Sequence, residues 1–594
     1  MLLSESFFKE GEIMGVIIKL DEHIANMIAA GEVIERPANV VKELTENAID
    51  ANSSVIEIDL KEAGMEMIRI TDNGCGMDEA DANSAFERHA TSKIKSEYDL
   101  FRIHSLGFRG EALPSIAAIA KIELTTSLGD NTGYKIAFQA GKKISSGVAA
   151  ARKGTAITVT KLFYNTPARL KYMKGPNYEL AIITELVDKF ALAHPDVAFT
   201  LINNGKVLFK TSGSGNVLEV LGSIYGYSVA KQMKLFKNDG RDYQINGYIA
   251  NPLINRSSKN CITLITNGRV IKNPKIISTV VAAFDQRIPK GRYAITLINI
   301  ICDPLLIDVN IHPTKQEIKF SEEAKLSNVL TAALKKTIDQ FAMIQESENL
   351  VIGPSINTIQ DQLDFLGDNS LENMKAVIDY SVFEQSTEKH EMTLPPLETS
   401  NLIPDMEYIG QYAGTYLLFQ NTDGLYLVDQ HAAAERIRYE NYILHMSHPQ
   451  KTYYDLLIPF NLDFSNHDVI LINDHMAEIS AFGIILSPSG NQSFFINSVP
   501  SWFPKGLEEA YTEEVINLVL ESLDLNVATV RDELAKRLAC KQSIKANHYV
   551  NDGEVQTIMH DLRQCNNPHT CPHGRPIIVK ISLREIEKMF KRVM

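Results

Sequence analysis

No run of eighteen or more uncharged apolar residues occurs in this 594-residue chain, which excludes an ordinary membrane-spanning helix. The opening MLLSESFFKEGEIM is acidic, and its apolar part is too short for a secretion signal. A cytoplasmic protein with no membrane partner is therefore expected. Met14, followed by GVIIKL, offers a second start that would leave the first thirteen residues as a frayed extension, and residues 1–14 are expected to be disordered. Cysteine is scarce: Cys75, Cys261, Cys302, Cys540, Cys565 and Cys571 are scattered along the chain. That spacing excludes a disulfide framework, so clustered Cys and His read first as metal ligands. Positive charge is short as well, with 59 Lys and Arg against 73 Asp and Glu and a net charge of −14. Neutralising many phosphates needs concentrated cations, so a nucleic acid would be bound locally, weakly or with help. No internal repeat is visible.

What is present is an ordinary globular composition, 45% hydrophobic and 22% charged, at a length that predicts several domains. From about 15 to 345, helical stretches alternate with β-rich runs such as VIEIDL (55–60), MIRIT (67–71), TAITVT (155–160) and YAITLINII (293–301), an α/β pattern. Residues 346–405 are polar, acidic and without sustained periodicity, as a flexible linker should be. Beyond them YLLFQ (416–420), GLYLV (424–428) and PIIVKIS (576–582) again predict strands among helices.

In RPANVVKELTENAIDA (36–51), Pro37 suits a first helical turn, and Val40, Val41, Leu44 and Ala48 recur at helical spacing. Glu43, Asn47 and Asp50 follow at i, i+4 and i+7 on another face, where they would position a water and a magnesium ion. Taken by itself, this face reads more readily as a solvated polar one. MIRITDNGCGM (67–77) places Asp72 at a strand end before Gly74 and Gly76, which allow close backbone approach to a ligand. HATSKI (89–94) supplies Thr91, Ser92 and Lys93. SLGFRGEAL (105–113) is a glycine-flanked loop entering a helix, suited to phosphates. Gly154 and Thr155 stand just before a strand. Cys75 and Phe163 read as packing residues.

The order ENAIDA, DNGCG, GFRGEAL, GT and LFYNTPAR resembles the GHKL ATPases, the group of gyrase, the Hsp90 chaperone, histidine kinases and MutL. AAGEVIERPANVVKELTENAIDA (29–51), ERHATSKI (87–94), LFYNTPAR (162–169) and DVNIHPTKQEIKF (308–320) resemble the MutL mismatch-repair proteins in particular. The resemblance implies a GHKL (Bergerat-type) α/β sandwich ATPase at 15–220 and a second α/β, transducer domain at 221–345. The linker at 346–405 would then lead to an α/β dimerisation and endonuclease domain at 406–594. It implies ATP as cofactor, with Glu43 as general base, Asn47 as magnesium ligand and Asp72 on the adenine amino group beside Gly76 and Thr155. Gly107, Phe108, Arg109 and Gly110 would cover the phosphates, and Lys315 would contact the γ-phosphate. Slow hydrolysis suits a gate, in which ATP closes a homodimer around double-stranded DNA.

GLYLVDQHAAAERIRYE (424–440) reads as a strand and then a helix, with His431 and Glu435 on one face. That spacing suits a divalent metal, although by itself it more often makes only a surface hydrogen bond. RLACKQSIKA (537–546) offers Cys540 on a helix, and CPHGRP (571–576) offers Cys571 and His573. Thiolates with imidazoles point to zinc or manganese-exchangeable sites. These segments, and FKRV (590–593), resemble the endonuclease motifs of the nicking subclass of MutL. The implied ligands are His431, Glu435, Cys540, Cys571 and His573, with Asp429 essential and Glu440 nearby. Cys565 lies outside the pattern as bystander or core.

The same resemblance implies a MutS-type mismatch sensor as partner, and a sliding clamp. The stretch YDLLIP (454–459) stands where a clamp-binding peptide is usual, with Tyr454 in place of its Gln; QLDFL (362–366) resembles a general one. The alternative is an ATP-gated scaffold that does not cut DNA. A topoisomerase subunit would need its own acidic metal module, and a histidine kinase a phosphoacceptor helix ahead of the nucleotide domain; neither is recognisable here.

Overall fold

The computed structural model describes residues 34–94, 105–107, 109–129, 132–256, 258–284, 287–288, 291–308, 318–341, 403–447, 453–490, 492–522, 527–541 and 549–592. Contacts group the chain into two compact units: Met1–Gln340 with Met446–Leu534, and Phe341–His445 with Ala535–Met594. The expected α/β architecture is found in both.

The first unit is built on an eight-stranded sheet. Its strands are β1 (Val55–Lys61), β2 (Met67–Asp72), β3 (Lys121–Ser127), β4 (Gly133–Gln139), β5 (Lys142–Ala149), β6 (Gly154–Thr160), β7 (Ala198–Asn203) and β8 (Lys206–Lys210), in the spatial order β5-β4-β3-β6-β2-β1-β7-β8. All pairs are antiparallel except β1 with β7. Alternation decides which face is buried: Ile56, Ile58 and Leu60 have no exposed surface, whereas Val55 is 47% exposed. The predicted helix spans Pro37–Asp50, starts on its proline and packs against β2 and the helix Pro176–Ala193. Its stripe of Val40, Val41, Leu44 and Ala48 is buried, each larger side chain stabilising the fold by roughly 1.5–3 kcal/mol. With that stripe inward, Glu43, Asn47 and Asp50 remain half-buried at its margin.

A five-stranded sheet follows, ordered Arg269–Ile271, Ile262–Thr266, Thr296–Cys302, Tyr243–Ala250 and Met233–Asp239. The helices Pro274–Ala283 and Glu323–Ile338 pack on one another beside it. The same unit holds a three-stranded sheet of Tyr453–Asp463, Ser493–Pro500 and Ser487–Pro488. One of its helices, Asn466–Asp474, lies along Pro176–Ala193.

The second unit centres on an antiparallel sheet ordered Glu407–Tyr412, Tyr416–Asn421, Gly424–Asp429 and Ile578–Ser582. The last residue of the third strand leads directly into the helix Gln430–Ser447. Leu417, Phe419, Val428, Ala433, Met559 and Leu562 belong to its core. Among the described residues no helix is long and apolar enough to cross a membrane.

Candidate functional site

In the first unit the polar margin of Pro37–Asp50 meets two loops. Lys93 Nζ donates to Asp50 Oδ2 at 2.6 Å and to Asn47 Oδ1 at 3.0 Å. The backbone N–H groups of Leu106 and Gly107 donate to the two Asp50 oxygens at 2.8 and 2.9 Å. A carboxylate thus gathers an ammonium and two amides of a glycine loop, the donors an anionic phosphate would use. Glu43, one turn before Asn47, pairs with Lys42 at 2.9 Å. Burial alone would lower the Lys42 ammonium, but the Glu43 and Glu46 carboxylates reverse this and hold it above its usual value.

The Asp72 carboxyl is 8% exposed. Burial raises it above the usual carboxylate range, although the Gly74 amide (2.8 Å) and Ser53 hydroxyl (3.2 Å) donate to it. Gly76 has φ +71, and a Cβ there would lie 2.1 Å from the Ser127 carbonyl oxygen; only glycine fits this approach. Gly154 and Thr155 open β6 itself rather than preceding it. Thr155 meets the Thr126 hydroxyl at 3.1 Å, and Thr126 also accepts the Met77 amide. Thr91 and Ser92 are exposed, and Arg109 is half-buried. Gly110 lies against Ala90, with the His89 amide donating to its carbonyl at 3.2 Å. Phe108 and Lys315 fall outside the described residues. Phe163 is fully buried as expected, but Cys75 is exposed. Its backbone amide bonds to the Ala51 carbonyl, which fixes the turn through the main chain and leaves the thiol outward.

In the second unit the helix Gln430–Ser447 presents two successive i, i+4 pairs. His431 Nε2 is 3.2 Å from Glu435 Oε1. Cys540 Sγ, from Val527–Lys541, lies 3.2 Å from the same oxygen and 3.5 Å from His573 Nε2, while His573 Nδ1 is 3.5 Å from Glu435 Oε2. Ligand atoms of Glu435, Cys540 and His573 all lie within 4.8 Å of one another. Cys571 is 1% exposed within the apolar core, near enough to Cys540 to oppose its ionisation. Asp429 Oδ1 accepts the amides of His431 (2.9 Å) and Ala432 (3.1 Å), capping the helix that carries the pair. Gln430, 1% exposed, anchors the helix start by donating to the Gly414 carbonyl at 2.7 Å.

This donor set fits a cation. The Glu435 side chain is 7% exposed among imidazoles and a thiol, and a buried carboxylate is costly unless charge compensates it. Burial first, then Glu435, push the Cys540 thiol up to about 12; a divalent ion there would favour the thiolate instead.

Comparison with known proteins bears on the ATPase and dimerisation domains. The profile described as "Histidine kinase-, DNA gyrase B-, and HSP90-like ATPase" matches residues 35–156, "DNA mismatch repair protein, C-terminal domain" matches 221–339, and "MutL C terminal dimerisation domain" matches 409–550. The DNA mismatch repair protein MutL of Anoxybacillus flavithermus is 44% identical over 98% of this chain and 100% of its own length. That of Listeria monocytogenes is 41% identical over 97% and 99%. The chain belongs to the MutL family of DNA mismatch repair proteins. As a MutL it carries a GHKL ATPase domain, which binds ATP, and a C-terminal dimerisation domain. Among solved structures, an Aquifex aeolicus MutL ATPase domain complexed with ADP covers 46% of this chain and 94% of its own, at 24% identity and a TM-score of 0.35.

Sequence reading of this MutL missed two residues that hold its sites. Arg436 Nε donates to the Thr570 carbonyl at 2.7 Å, and Arg269, 6% exposed, donates to the carbonyls of Ser105 and Leu106. The i, i+4 spacing to Glu440 is the one signal that marks Arg436; nothing local marks Arg269.

Proposed function

We propose that this MutL is an ATP-gated dimeric clamp that couples mismatch recognition to strand incision through a metal-dependent nicking site. The observation that carries the nicking half is the convergence of Glu435, Cys540 and His573 within 4.8 Å, on a helix whose start is capped by Asp429, less than two turns before Glu435. These three, with His431 at the edge and Cys571 behind Cys540, would hold zinc or manganese. Such an ion, when bound, supplies Lewis acidity to a scissile phosphate and lowers the pKa of a bound water. Asp429 fixes the first turn of the helix, and Glu435 serves as the shared carboxylate.

In the ATPase, Glu43 orients the attacking water and Asn47 holds magnesium beside Asp50. Asp72 accepts from the adenine amino group, with Gly74, Gly76 and Thr155 around the ring. Thr91, Ser92, Lys93 and the loop Gly107–Gly110, including Phe108 and Arg109, face the phosphates, and Lys315 reaches the γ-phosphate. Preorganised donors of this kind stabilise charge in phosphoryl transfer. The working divisions are an ATPase domain at 15–220, a transducer domain at 221–345, a linker at 346–405 and a dimerisation and endonuclease domain at 406–594, after a short extension at 1–14. Double-stranded DNA, a MutS-type sensor and a sliding clamp are the partners, in the cytoplasm.

The test is nicking of supercoiled plasmid with manganese by the full chain, Asp429→Asn and Glu435→Gln. Nicking by the parent that both variants lose supports the reading. No nicking by any, with zinc, ATP and the clamp supplied, favours a scaffold without nuclease activity. Equal nicking by all three rejects this site.

A further inference from the structure

Arg269 opens the strand Arg269–Ile271 after a turn in which Asn267 and Gly268 both take positive φ. That strand lies at the edge of the five-stranded sheet, yet the guanidinium is spent on the nucleotide half. Its Nη1 donates to the Leu106 carbonyl at 3.0 Å, and its Nη2 donates to the Ser105 carbonyl. Peptides 105–107 are held from the other side by Asp50, which accepts the Leu106 and Gly107 amides. The loop is therefore strung between a side chain of the helix Pro37–Asp50 and a side chain of the second sheet. Burial opposes the Arg269 charge, and Glu46, Asp50 and Glu43 offset this.

The surroundings make this tether matter. Beside it is a cavity of about 810 Å³, lined by Lys42, Leu106 and Phe190 on the nucleotide side and by Ile262, Val270 and Ile277 on the other. Along this cavity the two sides are separated by space rather than by interlocked side chains. A planar guanidinium with two donors on successive carbonyls fixes both the position and the orientation of the loop.

We propose that Arg269 is a positioning residue for ATP hydrolysis, through which a displacement of the five-stranded sheet repositions the 105–107 loop, whose Leu106 and Gly107 amides Asp50 holds beside the proposed phosphate site. The proposal rests on the nucleotide reading given above. It makes the second sheet a participant in phosphate recognition while leaving the adenine end, around Asp72, untouched.

The experiment compares full-length protein with Arg269→Gln and Arg269→Lys. Steady-state hydrolysis, affinities for ADP and a non-hydrolysable ATP analogue, amide exchange of the 105–107 peptide and thermal midpoint are read together. In Arg269→Gln, kcat/KM for ATP and analogue affinity should each fall about tenfold or more, the range of losing hydrogen bonds to a charged group. Exchange at 105–107 should quicken while that at 74–76 stays unchanged, and ADP affinity should fall less than analogue affinity. Arg269→Lys should recover part of the loss, since one ammonium reaches one carbonyl. Unchanged kcat/KM in Arg269→Gln overturns the proposal, as does an equal loss for ADP and analogue with a lowered thermal midpoint. Absence of nucleotide binding by the parent would instead sink the nucleotide reading itself.

Discussion

Glu440 accepts the backbone amide of Asn566 at 2.6 Å, and its other oxygen accepts the Asn567 amide at 3.1 Å. Arg436, one turn earlier, is 3.6 Å from Glu440 and donates to the Thr570 carbonyl. The helix that presents His431 and Glu435 to the candidate metal cluster therefore also grips the segment leading to Cys571 and His573. Glu440 is a brace for the loop that brings the imidazole to Glu435.

Removing that brace should weaken metal retention without unfolding the unit. Glu440→Gln leaves one acceptor oxygen for two backbone amides, and losing groups that orient ligands typically costs about 10–100-fold in metal affinity. Competition with a chromogenic chelator measures zinc affinity directly, with circular dichroism as the check on fold. Parent-like affinity in Glu440→Gln would show that the loop holds itself.

Glu43 and Asn47 should separate binding from chemistry. Glu43→Ala should keep ATP affinity within about threefold and lose hydrolysis by about a hundredfold or more, as expected for a group that acts on the attacking water. Asn47→Ala should lose nucleotide binding, because it removes the proposed magnesium ligand. Isothermal titration with a non-hydrolysable analogue, beside phosphate release, reads both. Normal affinity in Asn47→Ala counts against the assignment.

Much of this was legible because helical period and turn chemistry act locally. The stripe Val40, Val41, Leu44 and Ala48 predicted the buried face of Pro37–Asp50 and so the margin carrying Glu43, Asn47 and Asp50. The i, i+4 spacing likewise brought His431 to Glu435. What required the fold was every contact across the chain: Lys93 on Asp50, Cys540 on Glu435, Arg269 on the 105–106 carbonyls. Cys75 shows the limit within one motif, since sequence cannot say whether a turn is fixed by its side chain or, as here, by its backbone amide. Cys571 shows another, for a residue of metal-ligand type also fills core.

Asp188 should make the stability of the first unit depend on pH. It lies on Pro176–Ala193, and burial pushes its carboxyl up to about 8; the Asn466 amide, 3.4 Å away, acts against this. Glu185 raises it further, and His467 and Lys189 lower it. The native state thus keeps a proton that the unfolded chain releases near pH ~4. Its contribution is complete below that value and is lost as pH rises towards 8. Asp188→Asn, which needs no proton, should raise the thermal midpoint of this unit, with a gap that widens from about pH 5 to 8 and then levels. Calorimetry across that range decides; a gap that narrows with rising pH contradicts the assignment.

The clamp contact should run through aliphatic side chains. The edge strand Tyr453–Asp463 pairs with Ser493–Pro500 at both ends but breaks register between Asp455 and Phe460. Within that break Leu457 is 102% exposed and Ile458 72%, which leaves two adjacent aliphatic side chains for a partner to cover. Tyr454, at the Gln position of the usual peptide, donates its hydroxyl to Glu508 Oε1 at 2.8 Å, so it is turned to its own fold. Leu457→Ala with Ile458→Ala should weaken binding to the organism's sliding clamp by more than about tenfold, the order expected for truncating two anchoring side chains. Tyr454→Gln should strengthen it. Surface plasmon resonance on the full chain reads both, and binding that survives the double change would move the contact elsewhere, with 362–366 the first stretch to delete.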